Sequence, residues 1–366
     1  KISGVWIMAY TTIDDPSAFF QTALYTGNGT AIGSGGLTVT NDGNSDLQPD
    51  WIWHKNYGAA ESHAVADTNR GTHKGLFPDL EQAESTGGSQ YVNSFNTDGF
   101  TVGNVGWAND SGQNYVAWQW KCNGGTTTTN DASATGVGTI DSVYQANTTA
   151  GFGIVTYTGT GSAGTIAHGV GATPHWVLVK NRSTGDRQWY NQHIGNSSAS
   201  KGQTLSTNGA EQTLSAVFGD TRASSTVFTV GDNNSINDSG DNYVAYVFAP
   251  IKGYSKFGTY EANNSTDGPF VYTGFQPAWV MVKSVDATGN WFIMDNARSD
   301  INVANEILFA DLNAAQDTSN AIDFLSNGFK LRNSGSGGLN YQNTYLYIAF
   351  AEHPFVSSKG VPTTAR

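Results

Sequence analysis

The chain is short of charge, of cysteine and of long apolar runs. Asp, Glu, Lys and Arg make up only 13% of its 366 residues, and Cys122 is the only cysteine. One cysteine excludes an intrachain disulfide framework and a Cys-rich zinc site. It does not fix the compartment, because large β-proteins outside the cell fold without disulfides when their cores are big enough. No apolar run approaches the roughly 18 to 20 residues of a membrane helix, so no membrane insertion is expected. Basic residues are outnumbered, 18 Lys and Arg against 30 Asp and Glu, for a net charge of -12. No basic stripe is left to neutralise phosphates, which sets aside nucleic acid and anionic membranes as partners.

In place of charge the chain carries 44 glycines and is crowded with Ser, Thr and Asn. That balance favours short strands and turns over long helices, and predicts an all-β protein. Internal repetition is the stronger signal. "PDWIWHKN" from Pro49, "PHWVLVKN" from Pro174 and "PAWVMVKS" from Pro277 each place Trp two residues after Pro and Lys four residues after Trp. Downstream come "GFTVG" at Gly99, "VFTVG" at Val227 and "GFKLR" at Gly328. Then follow "NDSGQNYVAWQW" at Asn109, "NDSGDNYVAYVF" at Asn237 and "TYLYIAF" around Tyr345. Pro49 to Tyr115, Pro174 to Tyr243 and Pro277 to Tyr345 are 66, 69 and 68 residues apart, a register that unrelated segments would not keep.

Three modules are therefore expected, at 17–122, 151–250 and 254–355, with an N-terminal extension at 1–16 and a tail at 356–366. Residues 123–150, with "NGGTTTTNDASATG", have the composition of a flexible linker. The Trp/Val runs bounded by Pro and Asn are strands, and turn signals every eight to fifteen residues suit a β-sandwich. Helical periodicity is weak, with one short helix expected near 302–312, "NVANEILFADL". "NDSG" is turn chemistry, rewritten in the third module as "NSGSGGLNYQNTY", and so reads as scaffold rather than a catalytic loop.

Sites of known chemistry are scarce. "GTGSAG" at 159–164 spells G-x-G-x-x-G, but the Gly- and Pro-rich segment after it predicts a turn rather than a dinucleotide site. H-E-x-x-H, P-loop and G-x-S-x-G patterns are missing from the sequence. The histidines are scattered; His54 and His175, beside the Trp strands, are expected at strand edges or the surface. Asp14 with Asp15, and Glu81 with Glu84, are expected to be solvated. Asp67 and Asp295 each lie 18 residues after a module's proline and three before an arginine, Arg70 and Arg298. Asn191 or Gln192 is expected at that place in the second module, and a structural Asp–Arg pair or turn cap is preferred to catalysis. No cofactor is expected, although the loops "NDGNSD" at 41–46 and "GDNNSINDSGD" at 231–241 could offer oxygens to calcium outside any EF-hand spacing. Trp51, Trp53, Trp118 and Trp120 could stack on sugars if exposed, but their alternation suits a core. Glycosylation is permitted at Asn28, Asn109, Asn147, Asn181, Asn196, Asn233, Asn237, Asn263 and Asn264, and O-linked sugar at 126–129.

The runs "GYSKFGTYEANNSTDGPFVYTGFQPAWVMVKS", "IDFLSNGFKLRNSGSGG" and "YIAFAEHPF", with "YTGNGT", "PDWIWHKN" and "SFNTDGFTVG" upstream, resemble a family of virion-associated repeat proteins of marine bacteriophages. The resemblance spans nearly all of the chain beyond about residue 17. It implies a concanavalin A-like jelly roll in each repeat, hence three tandem jelly-roll-like β-sandwich modules, in a structural or adhesive protein with no established activity. Family members often carry cysteine where this chain has Gln119 and Val247, and serine after the aspartates matching Asp67 and Asp295.

One stretch has no place in the repeat register. Residues 5–10, "VWIMAY", form an apolar strand-like run near a chain that begins at Lys1 instead of methionine, so a leader could have been removed or the numbering could start within a longer product. An apolar edge strand must be paired or covered. It could fold back on its own module, or Val5, Trp6, Ile7, Met8 and Tyr10 could insert into a groove of the next copy, giving a non-closing head-to-tail contact. The expectation is a non-enzymatic structural protein of an extracellular filament or phage fibre, a homopolymer at the cell exterior or virion surface. The alternative is a carbohydrate-binding phage adhesin with glycans as partners.

Overall fold

The computed structural model describes residues 11–88, 91–185, 187–335 and 338–354. Each repeat uses four segments in the same way, named here by role. The leading strands are Phe20–Thr26, Phe152–Thr158 and Ser255–Glu261; the tryptophan strands are Trp51–Asn56, Trp176–Asn181 and Phe275–Ser284. The rim strands are Ala64–Asp67, Tyr190–His193 and Phe292–Asp295, and the closing strands are Asn114–Trp120, Asn242–Phe248 and Thr344–Pro354. In each of the three large sheets these strands run in the order leading, closing, tryptophan, rim, all antiparallel. A smaller second sheet covers one face, built for example from Leu37–Val39, Val92–Phe95 and Phe100–Val102 in the first repeat. The chain is thus an all-β protein of the β-sandwich class.

The alternation of strand side chains decides what each face meets. In the first repeat Ile52, Ala64 and Ala117 point at Val39, Phe100 and Val102 of the small sheet. Trp51, Trp53, Trp118 and Trp120 point the other way, and would be an exposed apolar face on a lone sandwich. They are instead fully covered by the other repeats. Trp120, Phe248 and Phe350, the same closing-strand position three times, have ring centroids 6.5, 5.6 and 5.5 Å apart. The three large sheets close in a ring around this aromatic centre. The first and second sandwiches keep cores of their own between their sheets, as the tandem spacing predicts, but the large sheets share this further centre and so do not stand in series.

The 123–150 segment is also not a loose linker. Thr128–Asn130 and Ser142–Asn147 pair with each other, and Ser142–Asn147 continues the second large sheet by pairing along Phe152–Thr158. The buried Asp50 carboxylate fixes its start, accepting from the backbone of Cys122 at 2.6 Å, Gly124 at 2.9 Å and Gly125 at 2.8 Å. Likewise 302–312 holds no helix; Leu308–Phe309 adds an outermost strand to the third large sheet instead.

The repeated "NDSG" phrase serves the scaffold. The Tyr115 hydroxyl donates to the Gly106 carbonyl at 2.7 Å and accepts from the Asp110 amide at 2.8 Å; Tyr243 does the same with Asn234 and Asp238. Asn109, Asn237 and Asn340 accept from the backbone of the loop that follows each leading strand. A side chain at Gly27 or Gly159 would lie 2.2 or 2.1 Å from the carbonyl of Asp110 or Asp238, so glycine is required at this crossing.

Candidate functional site

The chemistry-bearing side chains gather at the seams between repeats, where equivalent residues make equivalent bonds round the ring. The three repeat lysines are fully buried. Lys55 donates to the carbonyls of Asn56 at 2.7 Å and Glu61 at 2.8 Å, and across the seam to Asn313 at 3.2 Å. Lys180 reaches the Glu81 carbonyl of the first repeat at 3.2 Å, and Lys283 the Asn208 carbonyl of the second at 3.3 Å. Burial pushes all three ammonium groups down to about 8. Backbone carbonyls, rather than carboxylates, do the holding. Each lysine therefore ties one repeat to the preceding repeat of the ring.

A second set follows the same direction. His63, Trp189 and Trp291 bond the carbonyls of Phe309, Phe77 and Thr204 at 2.8, 2.8 and 3.0 Å. Nδ1 of His63 accepts from Trp53 at 2.9 Å, which leaves its proton on Nε2, facing Phe309. The third set contains the paired aspartates. Asp67 and Arg70, and Asp295 and Arg298, are buried ion pairs, with Arg Nε to Oδ2 distances of 2.5 and 2.7 Å. The neighbouring repeat supplies a donor to each, Tyr246 to Asp67 at 2.7 Å and Trp118 to Asp295 at 3.1 Å. With no solvent access, these carboxylates act as ties.

Strand register assigns the second repeat's counterpart to His193, opposite Trp176 as Asp67 is opposite Trp51 and Asp295 opposite Trp279. Counting from the proline had placed Asn191 or Gln192 there, one or two residues short. His193 Nδ1 accepts from Gly195, and Nε2 donates to the Tyr347 carbonyl at 3.2 Å. His54 lies inside the first sandwich, neither edge nor surface; burial lowers it, like His193, to about 3. Glu84, expected in solvent, is held by Arg182 at 2.9 Å across the first seam and by Arg70 of its own repeat at 3.1 Å.

The seams differ in one respect. Two residues beyond Asp67, His193 and Asp295 stand Asn69, Gly195 and Ala297, each beside the leading strand of the next repeat. Asn69 donates to the Ile154 carbonyl at 3.0 Å and to Val143 at 3.4 Å, sealing the first seam together with Ser142–Asn147. Gly195 packs on Gly258 and Thr259, sealing the second. At the third seam a groove of about 480 Å³ remains open. Phe20, Thr22 and Leu24 of the leading strand form its floor, Asp42 to Asn44 one wall, and Asn296, Ala297 and Glu352 the other. Leu24 is 43% exposed, and the buried Thr22 hydroxyl has no protein partner.

Residues Val5, Trp6, Ile7, Met8 and Tyr10 lie outside the described residues. Among the glycosylation candidates, Asn109, Asn181 and Asn237 are fully buried with their amides bonded, and Asn196 is 5% exposed, so a glycan at these four is sterically excluded. Asn28 and Asn263 are exposed, and Asn147, Asn233 and Asn264 partly so. Among the described residues no group of three or more His, Cys, Asp or Glu is placed to hold a metal. In the 41–46 loop several polar groups already bond Gln21, Asp15 and Gln119. Cys122 is buried, its thiol turned to the Phe152 carbonyl. No helix among the described residues is long and apolar enough to cross a membrane.

The seam ties had a sequence signal in the recurring Lys of the three Trp phrases; the open groove had none. These features define an all-β sandwich protein with three internal repeats closed on a shared core. The chain belongs to the family described as "Domain of unknown function (DUF7483)", which matches residues 15–354. No curated protein matches the sequence.

Proposed function

We propose that the chain is a non-enzymatic structural subunit of an extracellular filament or phage fibre, assembling head to tail through its N-terminal strand. One observation carries this reading: the second leading strand has an added strand along its outer edge, whereas no described strand lies along the outer edge of the first. An open edge is an invitation to strand addition. The buried groups Lys55, Lys180, Lys283, His63, His193, Asp67 and Asp295 support a structural role, since they are consumed in ties between repeats. The aromatics behind the adhesin alternative, Trp51, Trp53, Trp118 and Trp120, lie in the shared core, which takes away its stacking surface. Glycans, where present, would decorate the outer loops. Electron microscopy of the native particle tests the reading. Filaments or fibres with this body as the repeating unit are expected, and particles consisting only of separate monomers would overturn it.

A further inference from the structure

We infer that the acceptor for assembly is the outer edge of Phe20–Thr26, and that its occupant is residues 5–10 of a second copy, added antiparallel. This rests on the structural-subunit reading above and gives it a joint. The molecule supplies its own precedent in the second repeat. There Ser142–Asn147, six residues long, pairs antiparallel along Phe152–Thr158, and Asn69 of the neighbouring repeat bridges both strands. The first repeat has the same leading strand, with Ala297 at the place of Asn69, and a groove where the added strand would lie. The segment of matching length and apolar character without a place in the register is "VWIMAY".

The backbone of the floor faces the right way. Phe19 accepts from Lys121 and Gly27 donates to Gln113, so odd-numbered residues of this strand bond the closing strand. By antiparallel alternation Phe20, Thr22, Leu24 and Thr26 aim their amides and carbonyls outward. Thr22 and Leu24 also present the unpartnered hydroxyl and the exposed apolar side chain noted above. At the position of Thr22 the second repeat has Ile154, fully buried, and the third has Phe257, 5% exposed; at the position of Leu24 they have Thr156 and Thr259, so only the first repeat sets an apolar side chain there. The third leading strand is also at a sheet edge, but Gly195 of the second repeat lies against it at Gly258 and Thr259, whereas the first edge borders the open groove. A second copy is preferred to the chain's own segment because Thr11 packs on Gly253, at the start of the third leading strand. Thr11 is not among the residues that line the groove.

The experiment uses the full chain, a chain lacking residues 1–10, and the full-length variants Leu24→Pro and Leu24→Asp. Pro removes only an outward amide, and Asp tests the site without backbone restriction. Sedimentation should show head-to-tail oligomers for the full chain and folded monomers for the other three. The synthetic peptide KISGVWIMAY should bind the shortened chain saturably at one site, and lose binding when Leu24→Asp is added. If both Leu24 variants are folded and still assemble, the acceptor is overturned while the structural-subunit reading stands. A monomeric full chain whose shortened form binds the peptide would mean that each chain fills its own groove, overturning the second-copy occupant. Undiminished assembly after removal of residues 1–10 would overturn both the inference and the strand-insertion reading.

Discussion

The hydroxyl of Tyr246 donates to Asp67 at 2.7 Å, joining residues 179 positions apart on different repeats. Arg70, bonded to the same Asp67 oxygen, lies within 3.5 Å of that hydroxyl, so the first two repeats share one buried polar cluster. Such a cluster stabilises only while all its members are present.

Replacing Asp67 by Asn should therefore destabilise the whole chain by about 3 to 5 kcal/mol, because Arg70 is left buried without its nearest counter-charge. Asp295→Asn should behave alike through Arg298. Urea denaturation followed by tryptophan fluorescence measures both. A loss confined to one repeat, or under about 1 kcal/mol, would contradict the seam assignment.

Unfolding should occur in a single calorimetric transition. Trp120, Phe248 and Phe350 come from three repeats but pack in one centre, so no repeat can open without exposing the others. A fragment covering 151–250 should fail to fold alone, since Trp176 and Phe248 would lose their cover. Phe248→Ala should cost about 3 to 5 kcal/mol. Three separate heat-absorption peaks would rule out the shared core.

Stability should fall as the solution is acidified below the ordinary histidine range. Burial lowers His54 and His193 from 6.5 to about 3, so between those values the unfolded chain binds protons that the folded chain refuses. Stability is then present above the unfolded value and lost as pH falls toward the folded one, by about 2 kcal/mol for each histidine at pH 5. His54→Asn should flatten the melting-temperature profile between pH 7 and pH 5. An unchanged slope would refute the assignment.

The alkaline side should show a maximum. Lys55, Lys180 and Lys283 are lowered from 10.5 to about 8, so stability rises through this window as the unfolded chain retains protons the folded chain has released. The slope is on the order of 1 kcal/mol per pH unit for each lysine. Burial raises Tyr115, Tyr243 and Tyr347 from 10.0 to about 12, and the sign reverses once unfolded tyrosines ionise. Melting temperatures measured from pH 7 to pH 11 should peak near about pH 10. A steady decline from pH 8 would exclude the lysine contribution.

Peptide mapping of native protein should find N-linked glycans, where any are attached, only among Asn28, Asn147, Asn233, Asn263 and Asn264. Occupancy at Asn109, Asn181 or Asn237 would be incompatible with their bonded amides.

Much of the repeat architecture could be read from local chemistry. The Trp phrases name the central strands, and large residues on successive positions of "YVAWQW" and "YVAYVF" already demand burial on both faces. What they cannot name is the material on the second face, because a strand packed on its own domain and one packed on a neighbour have the same composition. The hairpin within 123–150 escaped for a related reason. Its Ser, Thr and Asn satisfy an outer strand's exposed face as readily as a linker's, and the anchoring Asp50 lies far upstream. His193 escaped through the variable turn between the proline phrase and the rim strand. The groove is a relation between Leu24 and Ala297, residues from opposite ends of the chain.

That groove depends on the three repeats being one polypeptide. A trimer of identical chains must repeat every contact three times, so it would have three filled seams, three sealed ones or three open ones. Covalent fusion lets the sequence of each seam drift on its own, and here it has produced one of each kind. The body thereby acquires a direction that its internal repetition alone would cancel.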